Sequence, residues 1–212
     1  MNELPPPLFP DGLERPLVLL VGGATGTGKS TVATEAAHRL GIIRVTSTDF
    51  IRQTIRAFFP PDVMPSVHYS SFEGEPPIET FLDQTEKVLV GVEAVLGRAL
   101  AEAWSIVLEG VHLVPGLVPQ QIEGAVVVHA VLRVDSEAVH RSRFRVRDAS
   151  TGGTRPMEKY VQRLDAIRKV QEYLVDEAER MGVPVIEGTD RERAVAELME
   201  LVLARAELEV VR

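Results

Sequence analysis

The residues Gly23-Ala24-Thr25-Gly26-Thr27-Gly28-Lys29-Ser30 set glycines, a lysine and a hydroxyl at the spacing GxxxxGK[ST], directly behind the apolar run Leu17 to Gly22. Each residue type has a physical use toward a phosphate. Glycines at Gly23, Gly26 and Gly28 let the backbone curl so that its N–H groups converge on an anion, and a following helix adds its positive end. Lys29 is a mobile cation for β- and γ-phosphates. The Ser30 hydroxyl suits Mg²⁺, which prefers oxygen ligands and keeps several waters. Gly23, Thr25, Gly26, Thr27, Gly28, Lys29, Ser30 and Thr31 are therefore the expected binders of a nucleoside triphosphate, with Ser30 as a metal ligand. Two carboxylates accompany them. Asp49 follows a second β-rich run, where it can accept a proton from an attacking hydroxyl, although its place also suits a helix cap. Glu109 ends a third run, where a carboxylate can hold metal-bound water or simply terminate a strand.

Arginines at 141, 143, 145 and 147 supply guanidinium groups that could neutralise a transferring phosphoryl group. At about 100° per residue, Arg141 and Arg145 share one helix face and Arg143 and Arg147 another, so both pairs do not reach one ligand. Pairing with Glu137 or Asp148 on a solvated face is the alternative use of such arginines.

The elements that must position these groups alternate. Strands are expected over Leu17 to Gly22, Ile42 to Ser47, Ser105 to Gly110, Ala125 to Val134 and Val183 to Glu187. Helices are expected over Thr31 to Gly41, from Thr48 to the break at Pro60-Pro61, and over Ile78 to Ala103, Ser136 to Arg147, Glu158 to Met181 and Arg191 to Ala206. Alternation of this kind predicts an α/β fold: a parallel five-stranded sheet in three layers, helices on both faces, with an arginine-bearing lid hinged at Asp148 to Pro156. Ligands of such sheets collect beyond the carboxyl ends of the strands, where Lys29, Asp49 and Glu109 fall. Residues 60–77 carry five prolines, and a loop of that length is expected to do functional work. Residues 1–16 hold five of the fourteen prolines and read as a leader, leaving residues 17–212 as one domain.

Composition narrows the partners. A formal net charge of −8 and a pI near 5.2 disfavour nucleic acid and anionic membrane. The chain contains no cysteine, which removes disulfides and thiolate metal sites. It has no apolar run long enough to span a bilayer and no signal-like amino terminus, so a cytoplasmic protein with a small-molecule partner is expected. No Asn/Thr-Lys-x-Asp element follows a strand, which argues against a guanine-specific GTPase, and an AAA-type or motor ATPase needs a longer chain.

With the phosphate loop, the unit Ser47-Thr48-Asp49-Phe50-Ile51-Arg52 and Glu109 assembled, the chain resembles small P-loop kinases of the adenylate, shikimate and gluconate kinase kind. The segments Pro65 to Phe72 and Glu109-Gly110-Val111-His112-Leu113-Val114-Pro115-Gly116, with His140 to Arg147, Lys159-Tyr160 and Ile167-Arg168, make it similar to the 2-phosphoglycerate kinase family from about residue 17 to residue 190. The resemblance implies transfer of the γ-phosphoryl of ATP, with Mg²⁺, to the hydroxyl of 2-phosphoglycerate, giving 2,3-bisphosphoglycerate. It further implies that Asp49 and Arg52 face the acceptor, that His68, Ser70 and Ser71 line its pocket with His112 as a further candidate, and that Arg141 or Arg145 reaches in from the lid. A lone histidine beside apolar residues also suits a buried place. Sixteen residues cannot form the amino-terminal regulatory domain that family members often carry, so regulation of that kind is not expected. Two other readings stay open: a kinase for another hydroxyl, as in chloramphenicol phosphotransferase or zeta-toxin-like enzymes, and a non-enzymatic ATP-dependent switch.

Overall fold

The structure, a computed structural model, describes residues 15–150, 152 and 156–210, without the side chains of Arg147, Ser150 and residues 208–210. Apart from Arg15 and Pro16, the proline-rich leader lies outside the described residues. So do Thr151 and residues 153–155 of the expected hinge.

Apolar runs form the strands β1 (Leu17–Gly23), β2 (Val45–Ser47), β3 (Ile106–Gly110), β4 (Val126–Arg133) and β5 (Val185–Glu187), all parallel and ordered β2-β3-β1-β4-β5. The order puts β1 at the centre, and all seven of its residues are buried. Side chains alternate across its two faces. Leu17, Leu19 and Val21 join Val128, Ala130 and Leu132 against α1 (Lys29–Arg39) and α7 (Arg191–Val210), whose Val32, Ala36 and Leu198 complete that layer. Val18 and Leu20 face the opposite way, toward Val88, Val92 and Leu96 of α3 (Pro77–Ala101). Farther along the same face Val131 packs with Leu174 and Ala178 of α6 (Leu164–Met181). The expected three-layer α/β fold is the one observed.

Differences from the expected boundaries have local causes. β2 begins at Val45 rather than Ile42 because Ile42 completes the end of α1: its N–H donates to Ala37 O (2.8 Å) and Gly41 N–H to His38 O (3.1 Å), with Gly41 at φ 68°. These two bonds form a Schellman motif. The second helix, α2 (Thr48–Phe58), stops as expected ahead of Pro60, with Phe59 extended. The 60–77 loop is partly ordered, as a 3-10 turn over Pro65–His68. α4 (Glu137–Ser150) runs into the expected hinge. The single helix expected over 158–181 divides into α5 (Met157–Val161), which buries no residue, and α6, whose Leu164 and Ile167 enter the core. The break leaves Tyr160 of α5 lining the cavity beside the phosphate loop while α6 packs on the sheet.

Leu20 is fully buried at the middle of the central strand. Leu20→Ala is expected to cost about 2–5 kcal/mol, with Tm falling by roughly 2–4 °C per kcal/mol in a chain of this size. Thermal unfolding followed by circular dichroism checks this, and an unchanged Tm would contradict the assigned core.

Candidate active site

The turn after β1 wraps the amino end of α1 as the spacing of its glycines requires. Gly26 and Gly28 lie at φ 90° and 89°. A Cβ on Gly26 would come within 2.8 Å of both the His140 ring and the Phe144 ring, so the loop is shaped by packing as well as by backbone freedom. Thr27 is fully buried and its hydroxyl donates to Ala24 O (3.0 Å), bracing the loop from behind.

Two cavities flank the loop and share Lys29 and Ser30 along their linings. One, of about 490 Å³, lies toward α2 and the 60–77 loop and is lined by Thr25, Asp49, Arg52, Ser70, Ser71, Glu109 and Tyr160 among others. The other, of about 400 Å³, lies toward α4 and the turn after β5; Gly26, Gly28, Thr31, Arg143 and Gly188 line it. The shared lysine and serine therefore sit where a group could pass from one chamber to the other.

The electrostatics at that junction are concentrated. Lys29 Nζ stands 4.0 Å from Glu109 Oε2, and both side chains are largely buried. Glu109 Oε2 is buried and has no hydrogen-bond partner among the described residues, the state of a carboxylate oxygen with capacity left for a cation or ordered water. Across the cavity Asp49 follows its helix cap, its N–H donating to Ser47 Oγ (3.2 Å), and its carboxylate is 69% exposed. The cap role and an open carboxylate coexist. Crowding by the cavity walls pushes this carboxyl up, but the Arg52 guanidinium, 3.3 Å away, together with Lys29 more than offsets that and holds it below its ordinary value. Asp49 is thus ionised at neutral pH.

Arg52 lines the cavity toward α2 but its buried head is committed: Nε donates to Asp49 Oδ1, and Nη1 to Val67 O (2.9 Å) and Tyr69 O (3.1 Å). Ser70 and Ser71 follow that clamped segment and reach the cavity.

Some expected ligand contacts are not met. His112 is fully buried, with Nδ1 2.8 Å from Thr48 Oγ1 and Nε2 2.9 Å from Gln84 Oε1; burial pushes its pKa down to about 3, so it is neutral and both ring nitrogens are occupied. It lines neither of the two cavities. His68 Nε2 donates to Phe59 O (2.8 Å), closing the base of its loop rather than lining the pocket. Arg141 is exposed and pairs with Glu137 (2.8 Å), and Arg145 is exposed; neither lines either cavity. Gly23 also lies behind the loop, where a Cβ would meet Leu132 O at 2.6 Å.

Arg143 is the arginine that turns inward. Its Nη1 donates to Gly26 O (3.2 Å), and its Nη2 to Gly188 O and Thr189 O, tying α4 to the phosphate loop and to the turn after β5. Helix phase alone does not single it out, because Arg141 and Arg143 lie about 80° to either side of the face formed by the aromatic positions His140 and Phe144. Both aromatics are buried, and Arg143 is half-buried beside them while Arg141 and Arg145 are exposed. Arg147, on the flank of Arg143, lies outside the described side chains. The aromatic face continues as a stack: His140 on Phe144 (centroids 5.3 Å), Phe144 on Tyr160 (5.0 Å, 12° between planes), and Tyr160 beside Phe72 (5.7 Å). His140 Nε2–H anchors one end on Thr25 O (2.7 Å). Tyr160, which sequence reasoning noticed only within a dipeptide, joins the two cavities' walls.

Among the described residues no group of three or more acidic or histidine side chains could hold a metal by itself. A Mg²⁺ ion coordinated mainly by phosphate oxygens and water, with one hydroxyl from Ser30 and Glu109 nearby, is compatible with that donor set. No helix among the described residues is long and apolar enough to cross a membrane.

No family model matches the chain. Individual relatives do. A 2-phosphoglycerate kinase of Methanothermobacter thermautotrophicus is 40% identical over 190 residues, covering 84% of this chain and 62% of that protein. The Thermococcus kodakarensis 2-phosphoglycerate kinase is 39% identical over 204 residues, covering 90% and 68% respectively. The chain thus spans roughly two thirds or less of the length of these curated relatives. Among solved structures, a shikimate kinase of Acinetobacter baumannii matches with a TM-score of 0.51 at 17% identity, covering 90% of this chain and 94% of that one, a likeness of fold. On the similarity that runs through nearly the whole of it, the chain belongs to the 2-phosphoglycerate kinase family.

Proposed function

We propose that the protein is an ATP- and Mg²⁺-dependent kinase that transfers the γ-phosphoryl group to the free hydroxyl of 2-phosphoglycerate, giving 2,3-bisphosphoglycerate. The observation that carries this reading is the pair of cavities meeting at Lys29 and Ser30. The chamber toward α4 takes the nucleotide, with Gly26, Gly28 and Thr31 at the phosphates and Arg143 against the base side. The chamber toward α2 takes the acceptor, with Asp49, Ser70 and Ser71 around the hydroxyl and Arg52 beneath it.

Asp49, ionised and open to the chamber, accepts the hydroxyl proton as the oxygen bonds to the γ-phosphorus and the bond to the β-phosphate oxygen breaks, leaving ADP. Such a transition state is loose and demands charge stabilisation more than a strong base, so a carboxylate of low pKa suffices. Lys29 moves its charge between Glu109 and the phosphate oxygens. Mg²⁺, held by the Ser30 hydroxyl with Glu109 behind it, supplies charge neutralisation at the phosphates when bound. The outward-facing Arg141 and Arg145 have no part in this arrangement as it stands.

Purified protein with ATP, Mg²⁺ and a panel of 2-phosphoglycerate, unphosphorylated sugar acids and chloramphenicol is expected to release ADP with 2-phosphoglycerate and to form 2,3-bisphosphoglycerate, detected by ³¹P NMR. Turnover with another acceptor alone, or with none, would overturn the assignment. Lys29→Ala is expected to lower kcat by about 10²- to 10³-fold, the usual cost of deleting one transition-state cation or donor, without changing the circular dichroism spectrum.

The pH profile tests Asp49 separately. Activity requires its carboxylate form, so it is lost as pH falls through the Asp49 pKa, which Arg52 and Lys29 hold below the ordinary value. Arg52→Gln removes one of those charges, and the acid limb of kcat is expected to move to higher pH. An acid limb that stays in place assigns the proton to another group.

A further inference from the structure

Gln84 of α3 is fully buried and sits between the phosphate-binding end of the sheet and the acceptor loop. Its amide nitrogen donates to two backbone carbonyls of that loop, Ser66 O and Tyr69 O (2.9 Å to the latter), and carbonyls can only accept. The orientation of the amide is therefore fixed, and Oε1 is the end that meets His112 Nε2 at 2.9 Å. Since Oε1 accepts, His112 carries its proton on Nε2. Nδ1 is then an acceptor, and the Thr48 hydroxyl 2.8 Å away must donate to it. Every proton in this buried chain is assigned by its end at the loop carbonyls.

The chain also has a fixed far end. Thr48 is fully buried, opens α2 one residue before Asp49, and packs on Gly110, where any Cβ would overlap the Thr48 side chain. Gly110 follows Glu109. The network thus runs from the strand end that carries the Glu109 carboxylate, through Thr48, His112 and Gln84, to the carbonyls of Ser66 and Tyr69. Arg52 holds the intervening Val67 O and again Tyr69 O. Three carbonyls in four residues are clamped by two buried side chains from different helices, immediately before the cavity-lining Ser70 and Ser71.

We propose that Gln84 and His112 are positioning residues for the acceptor, fixing residues 66–69 so that Ser70 and Ser71 present their hydroxyls to it at a set distance from Asp49. The inference rests on the acceptor reading above. It explains why a histidine in the segment Glu109 to Gly116 is needed without touching ligand: an apolar residue in its place would leave Gln84 Oε1 buried and unpaired, and a rotated amide would turn an oxygen toward two carbonyl oxygens.

The test compares Gln84→Met, His112→Leu and His112→Gln in the full chain. Met preserves volume but donates to neither carbonyl, whereas a glutamine at 112 keeps an N–H donor for Gln84 Oε1. For Gln84→Met and His112→Leu, amide hydrogen exchange of a peptide covering residues 66–72 is expected to accelerate about tenfold or more, the factor set by one unmade buried hydrogen bond. Exchange over the phosphate loop, residues 22–31, should change less than twofold. KM for the acceptor should rise about tenfold or more, with KM for ATP within twofold. His112→Gln should restore both readouts toward those of the unsubstituted protein.

Exchange that rises throughout the chain, or acceptor KM unchanged with lowered kcat, would reduce both residues to core packing and overturn the proposal. If the unsubstituted protein turns over no acceptor, the kinase reading fails. The exchange comparison then still decides whether the network holds the loop. Should either deletion fail to fold, the other deletion with His112→Gln carries the same comparison.

Discussion

The parallel register of three strand ends is the constraint on which the site depends. Glu109 lies opposite Val21 of β1 and opposite Ser47 of β2, so the carboxyl ends of β2, β3 and β1 finish level. From that level the chain leaves β1 into the phosphate loop, β2 into Asp49, and β3 into Gly110 and His112. Nothing chemical sets the register. Val107 and Leu108 are fully buried on opposite faces, and a slip of one residue would exchange every side chain between faces and move the Glu109 carboxylate away from Lys29. The hydrophobic layers thus determine a distance of 4.0 Å between two charged atoms.

That distance has an electrostatic cost and a use. Buried ion pairs contribute little net stability because desolvation opposes the Coulomb gain, so the Lys29–Glu109 pair is poorly explained as a fold-stabilising contact. It holds the lysine pre-oriented beside the phosphate loop. The chain carries a net charge of −8, yet Lys29, Arg52 and Arg143 all cluster at the sheet's carboxyl end. Cations gathered at one end of an acidic protein suit a small polyanion that enters a cavity. They do not suit an extended polyanion that must approach the whole surface.

The alternation of strands and helices, the phosphate loop, and the carboxylates at strand ends were legible because each rests on local rules: apolar runs, glycine spacing, helix punctuation. The roles of the histidines and arginines were not, because each depends on what lies across a gap in sequence. His112 meets Gln84 and Thr48, 28 and 64 positions away. Arg143 meets carbonyls 117 and 45 positions away. The resemblance assigned His112 and Arg141 or Arg145 by type. Helix phase could not separate Arg143 from Arg141 either, since the two lie about 80° to either side of the face formed by His140 and Phe144. The split between α5 and α6 was hidden because both halves are amphipathic, and only the core decides which half it takes.

The chamber toward α2, where the acceptor is proposed to bind, follows the same logic. Its hydroxyl donors, Ser47, Ser70, Ser71 and Tyr160, outnumber its cations, and Arg52 already serves two carbonyls and Asp49. Nearby, Lys159 of α5 pairs with Glu73 (2.9 Å) and Arg163, between α5 and α6, with Glu75 (3.1 Å), so this segment is tied to the 60–77 loop by ion pairs. These pairs are partly exposed, and such pairs are worth little. Arg52, by contrast, is held by buried carbonyls that its loss would leave unpaired. The fold thus sets two classes of cation around this chamber: one fixed by buried carbonyls, the other held by partly exposed ion pairs that add little to stability.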